Sequence, residues 1–520
     1  MKLPAQLERY FLSRRAFLGV VLVNSACGGG EGADASEGPT QTAQSAPSLP
    51  IAPSTATGPA PTSIYSPPVG QRANVNLNSA SDIDYDLVTN LPQAQRWWNG
   101  YSRANSFAGM IGYSGSIWAP EYSAHGAIIV KGGGHGYNIG QHCYPFNFST
   151  FKWEQVGAPR NFPANLEWAG WTDYAAAGNW SASVDRRTVS PPWYDYNHNG
   201  SYIKLDEHSY LQTAYLSPRE GGGTRGSLLL PQTTFHQGPE TADPRTGVSL
   251  YWAPHTFDLS NGTMARSAAA PYGAWVGYSG TVAVKDSSRS RLWYLINGGS
   301  VAYYHDLSAG PPFTRVTHRI QKRSGGNMTW CVVKNASWLY VPEADCFVGF
   351  YPQNSNEAPP AIVNGNLGVQ ILKMSASGFP VDQERDAAVG ARPMPKGGLM
   401  IGAAWVPGSV VGGVGKFYLY EGYGEPYCHT LTPSSLEFAT CSWTWGREQF
   451  GNAHAGADPV YRQAFSAGEA QVNAPMGKFV YVPALQSLAW HDGPATRARC
   501  YDGVTRGGIV QLWRPPGAPI

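Results

Sequence analysis

The sequence predicts an all-β fold: a single ring of four-stranded blades, a β-propeller, spanning residues 76–520. Three observations carry that expectation. The chain holds 61 Gly and 41 Pro, with 12% aromatic and only 14% charged residues, a balance that suits short strands joined by many turns. A phrase of an apolar or aromatic pair followed by Pro or a turn recurs as Ile117-Trp-Ala-Pro-Glu, Ala214-Tyr-Leu-Ser-Pro, Leu339-Tyr-Val-Pro-Glu, Ala404-Trp-Val-Pro-Gly and Val480-Tyr-Val-Pro-Ala, with a looser copy at Ala283-Val-Lys-Asp-Ser. The run Ala127-Ile-Ile-Val-Lys-Gly-Gly-Gly-His-Gly136 ends an apolar strand in a glycine cluster, where the backbone can turn with positive φ near a crowded axis.

The segments before the ring read differently. Residues 1–27 form an address: Ser13-Arg14-Arg15-Ala16-Phe17-Leu18 resembles a bacterial twin-arginine export signal, and Ala26-Cys27-Gly28 resembles a lipoprotein cleavage site with Cys27 as the lipidated residue. Asn24 departs from that lipidation pattern, and Ala33-Asp34-Ala35 offers a cleavage site for a soluble secreted form. Residues 28–75 are Gly, Ala, Ser, Thr and Pro with scarcely an apolar cluster, so this stretch is expected to be a flexible tether. The mature protein is then expected outside the cytoplasm, in the periplasm or cell envelope, touching the membrane only through a lipid anchor. A monomer is expected. The formal charge of +2 and pI near 8.1 supply no basic stripe, so nucleic acid is not an expected partner.

Within the ring, each copy of the phrase reads as an inner strand, a turn and a second strand. Arg291-Leu-Trp-Tyr-Leu-Ile, Cys346-Phe-Val-Gly-Phe-Tyr and Lys416-Phe-Tyr-Leu-Tyr are such second strands. Outer strands follow at His255-Thr-Phe-Asp, Val301-Ala-Tyr-Tyr-His-Asp, Gly368-Val-Gln-Ile-Leu-Lys-Met and Ile509-Val-Gln-Leu-Trp. Aromatic and branched residues alternating on such strands suit blades packed face to face. Six units are legible. The step from Trp118 to Tyr215 is long enough to hold another, so the reading is six or seven blades, with seven preferred. The strand that closes the ring is expected within Ile83 to Trp98.

Glycine clusters, aromatic strands and Tyr-x-Pro turns together resemble the Kelch-type and galactose-oxidase-like propellers, in particular exported bacterial members, over about residues 100–515. That resemblance implies fold and leaves function open, because propellers host many unrelated activities. The sialidase Ser-x-Asp-x-Gly-x-Thr-Trp box is absent.

Excluding Cys27, six cysteines remain: Cys143, Cys331, Cys346, Cys428, Cys441 and Cys500. An even number in an exported protein invites disulfides. Cys428 and Cys441 lie symmetrically about Pro433-Ser-Ser-Leu436 and are expected to bridge across a hairpin; the pairing of the other four is left open. A zinc site from Cys143 with His142 or His135 lacks any Cys-x-x-Cys or His-x-x-x-His spacing, so no metal is expected.

In such propellers the second-to-third-strand loops and the blade-to-blade connections share one face, around the axial mouth. His135, Tyr137 and His142 fall on the first of these loops, and His208 and Tyr210 on a connection. Asn297, Tyr351, Tyr423, Glu425, His491 and Arg497 occupy the equivalent loops of later blades, and Lys322, Arg323, Arg447 and His454 fall on connections. Imidazoles, phenols and guanidiniums dominate this set. Two-carboxylate glycoside hydrolysis lacks its paired Asp/Glu there. β-Elimination of a uronate-containing polysaccharide needs a His or Tyr base, a cation or amide to neutralise the carboxylate, and an acid for the leaving oxygen. Ulvan-type polysaccharide lyases are built on similar propellers, and that resemblance implies His and Tyr in the acid and base roles.

By position, His135, His208, Tyr210 and Arg323 are the candidate catalytic residues; Tyr137, His142, Asn297, Tyr351, Tyr423, His491 and Arg497 are candidate substrate contacts. The expected partner is an acidic polysaccharide, with no cofactor. Two alternatives stand beside this reading: a non-catalytic carbohydrate- or protein-binding propeller, and a copper radical oxidase like galactose oxidase. The oxidase would need a Cys–Tyr crosslink, whereas the cysteines read better as disulfides.

Overall fold

The structure is a computed structural model; it describes residues 67–78, 83, 116–131, 142–157, 211–230, 255–266, 281–331, 336–352, 367–384, 401–420, 427–451, 477–492 and 509–517. These form six antiparallel blades, apart from one added parallel strand. A short first strand, β1 (Arg72–Asn74), comes before the first blade, which runs β2 (Ile117–Ala119), β3 (Ala127–Val130), β4 (Tyr144–Asn147) and β5 (Lys152–Trp153). The second holds β6 (Ala214–Leu216), β7 (Ser227–Leu230), β8 (His255–Asp258) and β9 (Met264–Arg266). The third holds β10 (Thr281–Asp286), β11 (Arg291–Ile296), β12 (Val301–Asp306) and β13 (Arg315–Arg319). The fourth orders as β14 (Gln321–Lys322), β18 (Pro380–Asp382), β17 (Leu367–Met374), β16 (Cys346–Pro352) and β15 (Ser337–Val341). The fifth holds β19 (Gly402–Pro407), β20 (Gly415–Tyr420), β21 (Tyr427–Pro433) and β22 (Trp443–Gln449). The sixth joins β23 (Phe479–Val482), β24 (Ser487–Asp492) and β25 (Ile509–Trp513) to β1.

All six copies of the repeated phrase lie at the innermost strands, and the expected second and third strands fall where the sequence reading puts them. Proline explains the local geometry. It has no N–H to continue the ladder, so it ends the inner strand and opens a helical turn. Pro218 begins α1 (Pro218–Gly221), whose Ser217 and Glu220 form a capping box; Pro407 precedes α2 (Gly408–Val411); Pro483 begins a 3-10 turn through Leu485. The looser third copy has no proline. There Asp286 Oδ1 accepts from the backbone N–H groups of Ser288 and Arg289 and makes the turn instead.

The inner-strand aromatic needs a glycine opposite. A Cβ on Gly126, at φ +79, would sit 2.4 Å from the Trp118 ring, and one on Gly415, at φ +117, 2.4 Å from the Trp405 ring. Each ring therefore lies flat over a bare backbone as the second strand begins.

Side chains alternate between the two faces of each blade, and the two seams beside each blade divide them accordingly. Ile128 and Val130 enter the core shared with the sixth blade, while Ala127 and Ile129 enter the core shared with the second. Six apolar clusters result, one in each seam of the ring. Six blades fall within the six or seven read from the sequence, and the preferred seventh is absent among the described residues. Ile117 and Ile129 of the first blade pack directly on Tyr215 and Leu228 of the second, so the long step between their inner strands carries no further blade.

Ring closure also differs from the expectation. The closing strand is β1, not the segment from Ile83 to Trp98. Arg72, Ala73 and Asn74 pair with Trp513, Leu512 and Gln511, so the chain's early strand forms the outer edge of its last blade. β1 lies inside the stretch read as tether. Three residues suffice because Val75 is buried against Val510 and Leu512.

The expected Cys428–Cys441 disulfide is not formed. Cys428 stands opposite Glu448 in the β21–β22 ladder and packs into the seam between the fifth and sixth blades. Cys441 ends the preceding loop and packs into the seam between the fourth and fifth. Cys441 lies in the loop before β22, at the other end of the blade from Cys428, and the two thiols enter different seams. Among the described cysteines none is bridged. No helix among the described residues is long and apolar enough to cross a membrane.

Candidate functional site

The two faces of the ring differ in chemistry. On the lower face, where inner strands turn into second strands and third into fourth, carboxylates are tied to cations across the seams. Arg225 reaches Glu154 at 3.1 Å between the first and second blades, and Lys285 pairs with Glu220 between the second and third. Arg289 bridges Asp286 and Asp345 between the third and fourth, and Lys373 meets Glu437 between the fourth and fifth. Within the Arg289 pair of bonds, burial raises the Asp286 carboxyl, while the bond from Arg289 helps hold Asp345 below the usual range.

The upper face, where second strands end and third strands begin, collects imidazoles and ammonium groups instead. Lys131 follows β3, His142 precedes β4, His255 opens β8, His429 lies in the first turn of β21, Lys478 precedes β23 and His491 stands at the end of β24; all six are buried. Carboxylates also stand where the fourth strands end on this face: Asp382 closes β18 with Glu384 just beyond it, and Glu448 near the end of β22 is bonded to Lys416 at 2.8 Å and to the Tyr418 hydroxyl at 2.9 Å.

The seam between the sixth and first blades concentrates this chemistry. Ser116, half-buried just before β2, donates its backbone N–H to the Gly477 carbonyl at 3.0 Å, which ties the first inner strand to the sixth. Its hydroxyl is hydrogen-bonded to His491 Nε2. The His491 ring packs edge-on against Trp153 with centroids 5.7 Å apart. Burial, reinforced by the Lys478 charge, holds the imidazole pKa well below its ordinary value, so His491 is neutral at physiological pH. On the same side of the first blade, His142 Nε2 lies 3.2 Å from the Tyr144 hydroxyl, and Tyr144 enters the core cluster that contains Trp153.

The candidate residues from the sequence separate as follows. His142 and His491 come to one seam, but both are sealed inside it rather than open on a loop. Asn297 stands in the turn after β11 on the upper face, where Gly298 N–H bonds the Cys331 carbonyl at 2.9 Å. Tyr351 is a core residue: its ring lies over Gly368, where a Cβ would approach to 2.1 Å. Arg323 is displaced furthest. The connection after β13 runs out to pair β14 in parallel with β18, the outer strand of the fourth blade, so Arg323 lies on the outer wall. There its N–H bonds Asp382 O at 2.8 Å and its guanidinium bonds Ala439 O at 3.1 Å.

His135, Tyr137, His208, Tyr210, Tyr423 and Arg497 lie outside the described residues, as does Cys27. Among the described residues no three His, Cys, Asp or Glu side chains gather closely enough to hold a metal ion. Sequence reasoning missed Ser116, Lys131 and Lys478. The signal for Ser116 was its place immediately before the first copy of the repeated phrase. Its partner is 375 residues away and becomes a neighbour only when the ring closes.

No protein-family model matches the chain, and no curated protein matches it in sequence. Solved structures resemble it at low identity. The allergen Mala s 1 of Malassezia sympodialis is 9% identical, covers 78% of this chain and 92% of its own, with a TM-score of 0.33. Streptogramin B lyase is 8% identical, covers 78% and 94%, with a TM-score of 0.31. The periplasmic gluconolactonase PpgL of Pseudomonas aeruginosa is 12% identical, covers 65% and 85%, with a TM-score of 0.26. Likeness at this level carries no argument about activity.

Proposed function

We propose that this chain is an exported Kelch-type propeller that takes an acidic polysaccharide on its upper face and cleaves it by β-elimination. The observation that carries the reading is the division of charge between the faces. Cross-seam ion pairs hold Glu154, Glu220, Asp345 and Glu437 on the lower face, while the described upper strand ends carry two buried lysines and four buried imidazoles. The ammonium groups at that face favour a polyanion. His135 from the first glycine loop and His208 with Tyr210 serve as base and acid in this scheme. Arg323 on the outer wall is replaced in the neutralising role by Arg497, and Asn297 is assigned a hydrogen bond to the substrate.

The test is incubation with a panel of uronate polysaccharides while following the ultraviolet absorbance of unsaturated ends. His135→Ala and His208→Ala should each lower turnover by about 10²- to 10⁴-fold without early unfolding. Absence of unsaturated product with every polysaccharide overturns the lyase reading.

A second reading, a propeller that binds glycan without turnover, draws support from the burial of His142 and His491, which keeps those imidazoles from direct contact with a polymer. Saturable binding of the same polysaccharides without product distinguishes it. For the leader, mass spectrometry of the mature N-terminus is expected to find Cys27 lipidated; an unmodified end near Ser36 would mark a soluble secreted form.

A further inference from the structure

We infer that Ser116 and His491 form a nucleophilic pair that hydrolyses carboxylic esters through an acyl-Ser116 intermediate. The inference is independent of the polysaccharide reading. It rests on three features of the seam between the sixth and first blades. Ser116 is half-buried at the upper rim, and His491 behind it is buried. The Oγ–Nε2 hydrogen bond gives the nucleophile an acceptor for its proton within direct reach, the arrangement that activates a serine. Trp153 packs edge-on against the ring, and the register of His491 opposite Val510 fixes its place in β24.

The step balances within the site. Ser116 Oγ forms a bond to the ester carbonyl carbon as its proton passes to Nε2. Collapse of the tetrahedral adduct breaks the bond to the alcohol oxygen, which takes that proton from the imidazolium. A water molecule then adds to the acyl carbon, its proton goes to Nε2, and Ser116 regains a proton as the acid departs. Burial and the Lys478 charge both oppose the imidazolium. Turnover is therefore slow, and accumulation of the acylated serine is the more sensitive readout.

The pH profile separates this pair from an ordinary surface serine–histidine contact. A solvent-exposed imidazole would make acylation rise with pH through about 6.5. Here the inflection lies well below that, because His491 stays neutral to much lower pH. The experiment treats the full chain with a fluorophosphonate probe and with p-nitrophenyl acetate across pH 4.5 to 8, and locates the label by peptide mass spectrometry. The expected result is one label on Ser116, a rate flat from pH 6 to 8, and at least about 10²-fold loss in Ser116→Ala with its circular dichroism unchanged. His491→Gln should also abolish labelling; if that buried substitution unfolds the chain, the flat profile of the natural protein still carries the test. No label on Ser116 in the folded protein, or a rate that titrates near pH 6.5, overturns the inference.

Discussion

At the scale of single residues, burial of imidazole sets an acid limit on the ring. His305 sits at the lower end of β12 with its Nδ1 3.2 Å from the Thr314 carbonyl, and burial, with the Arg315 charge, lowers its pKa to about 4. The unfolded chain takes up that proton near pH 6.5, the folded chain only near 4. The contribution is thus complete above pH 6.5 and is lost as pH falls toward 4, an effect of about 3 kcal/mol. Replacing His305 with Phe should flatten the fall in melting temperature between pH 7 and 4.5; an unchanged slope would place the acid sensitivity elsewhere. Gly415 gives a second residue-level test. Ala there meets both a positive φ and the Trp405 ring at 2.4 Å, and should cost at least about 2 kcal/mol in urea unfolding.

Elements are held together by links between neighbouring blades, and the link between the third and fourth is the most exacting. Arg289 donates to Asp286 at 3.1 Å and to both Asp345 oxygens at 2.7 and 2.8 Å, and the Asp286 side chain is 0% exposed. Arg289→Leu strands a buried carboxylate and should cost about 2–3 kcal/mol, less than a fully buried pair because the guanidinium is partly exposed. Asp345→Ala removes a partner that is 37% exposed and should cost under about 1 kcal/mol. Equal losses from the two variants would contradict this ranking. The loop between β21 and β22 makes a comparable strap on the fourth blade: Phe438 enters the seam core, Glu437 meets Lys373 and the Ala439 carbonyl accepts from Arg323. No disulfide secures it, so alkylating the unfolded chain without reductant should label Cys428 and Cys441 as readily as with it.

For the whole molecule, closure by β1 makes a three-residue strand a global determinant of stability. It supplies the outer edge of the sixth blade, and Val75 beside it fills the seam with the first. A chain beginning at Pro68 and one beginning at Leu77 should therefore differ sharply in melting temperature, the shorter one opening at the seam between the sixth and first blades. That seam also carries Ser116 and His491. Loss of Ser116 labelling in the shorter chain under conditions where its far-ultraviolet dichroism persists would tie the pair to ring closure. Similar melting temperatures for the two chains would mean that β1 is an ornament of the edge.

The sequence by itself determined the parts of this protein that depend on near neighbours. Inner strands were legible because Pro ends a ladder within a residue or two, as at Pro120, Pro218 and Pro342, and third strands because aromatic and branched residues alternate along them. What the tertiary structure decided are the pairings between distant segments. The blade count follows from cores shared by strands such as β3 and β7, and closure from a β1–β25 pairing that no local pattern announces. Cys428 and Cys441 looked symmetric about a turn, yet the register puts Glu448 opposite Cys428 and leaves Cys441 in the loop, in a different seam. Arg323 looked like a rim residue until β14 paired with the outer strand β18. His142, Tyr351 and His491 were placed by proximity to loops, but a residue at or beside the end of a blade strand still has its side chain in a seam. Position along the chain says which end of a blade a residue occupies; only packing says whether it faces water, a ligand or the next blade.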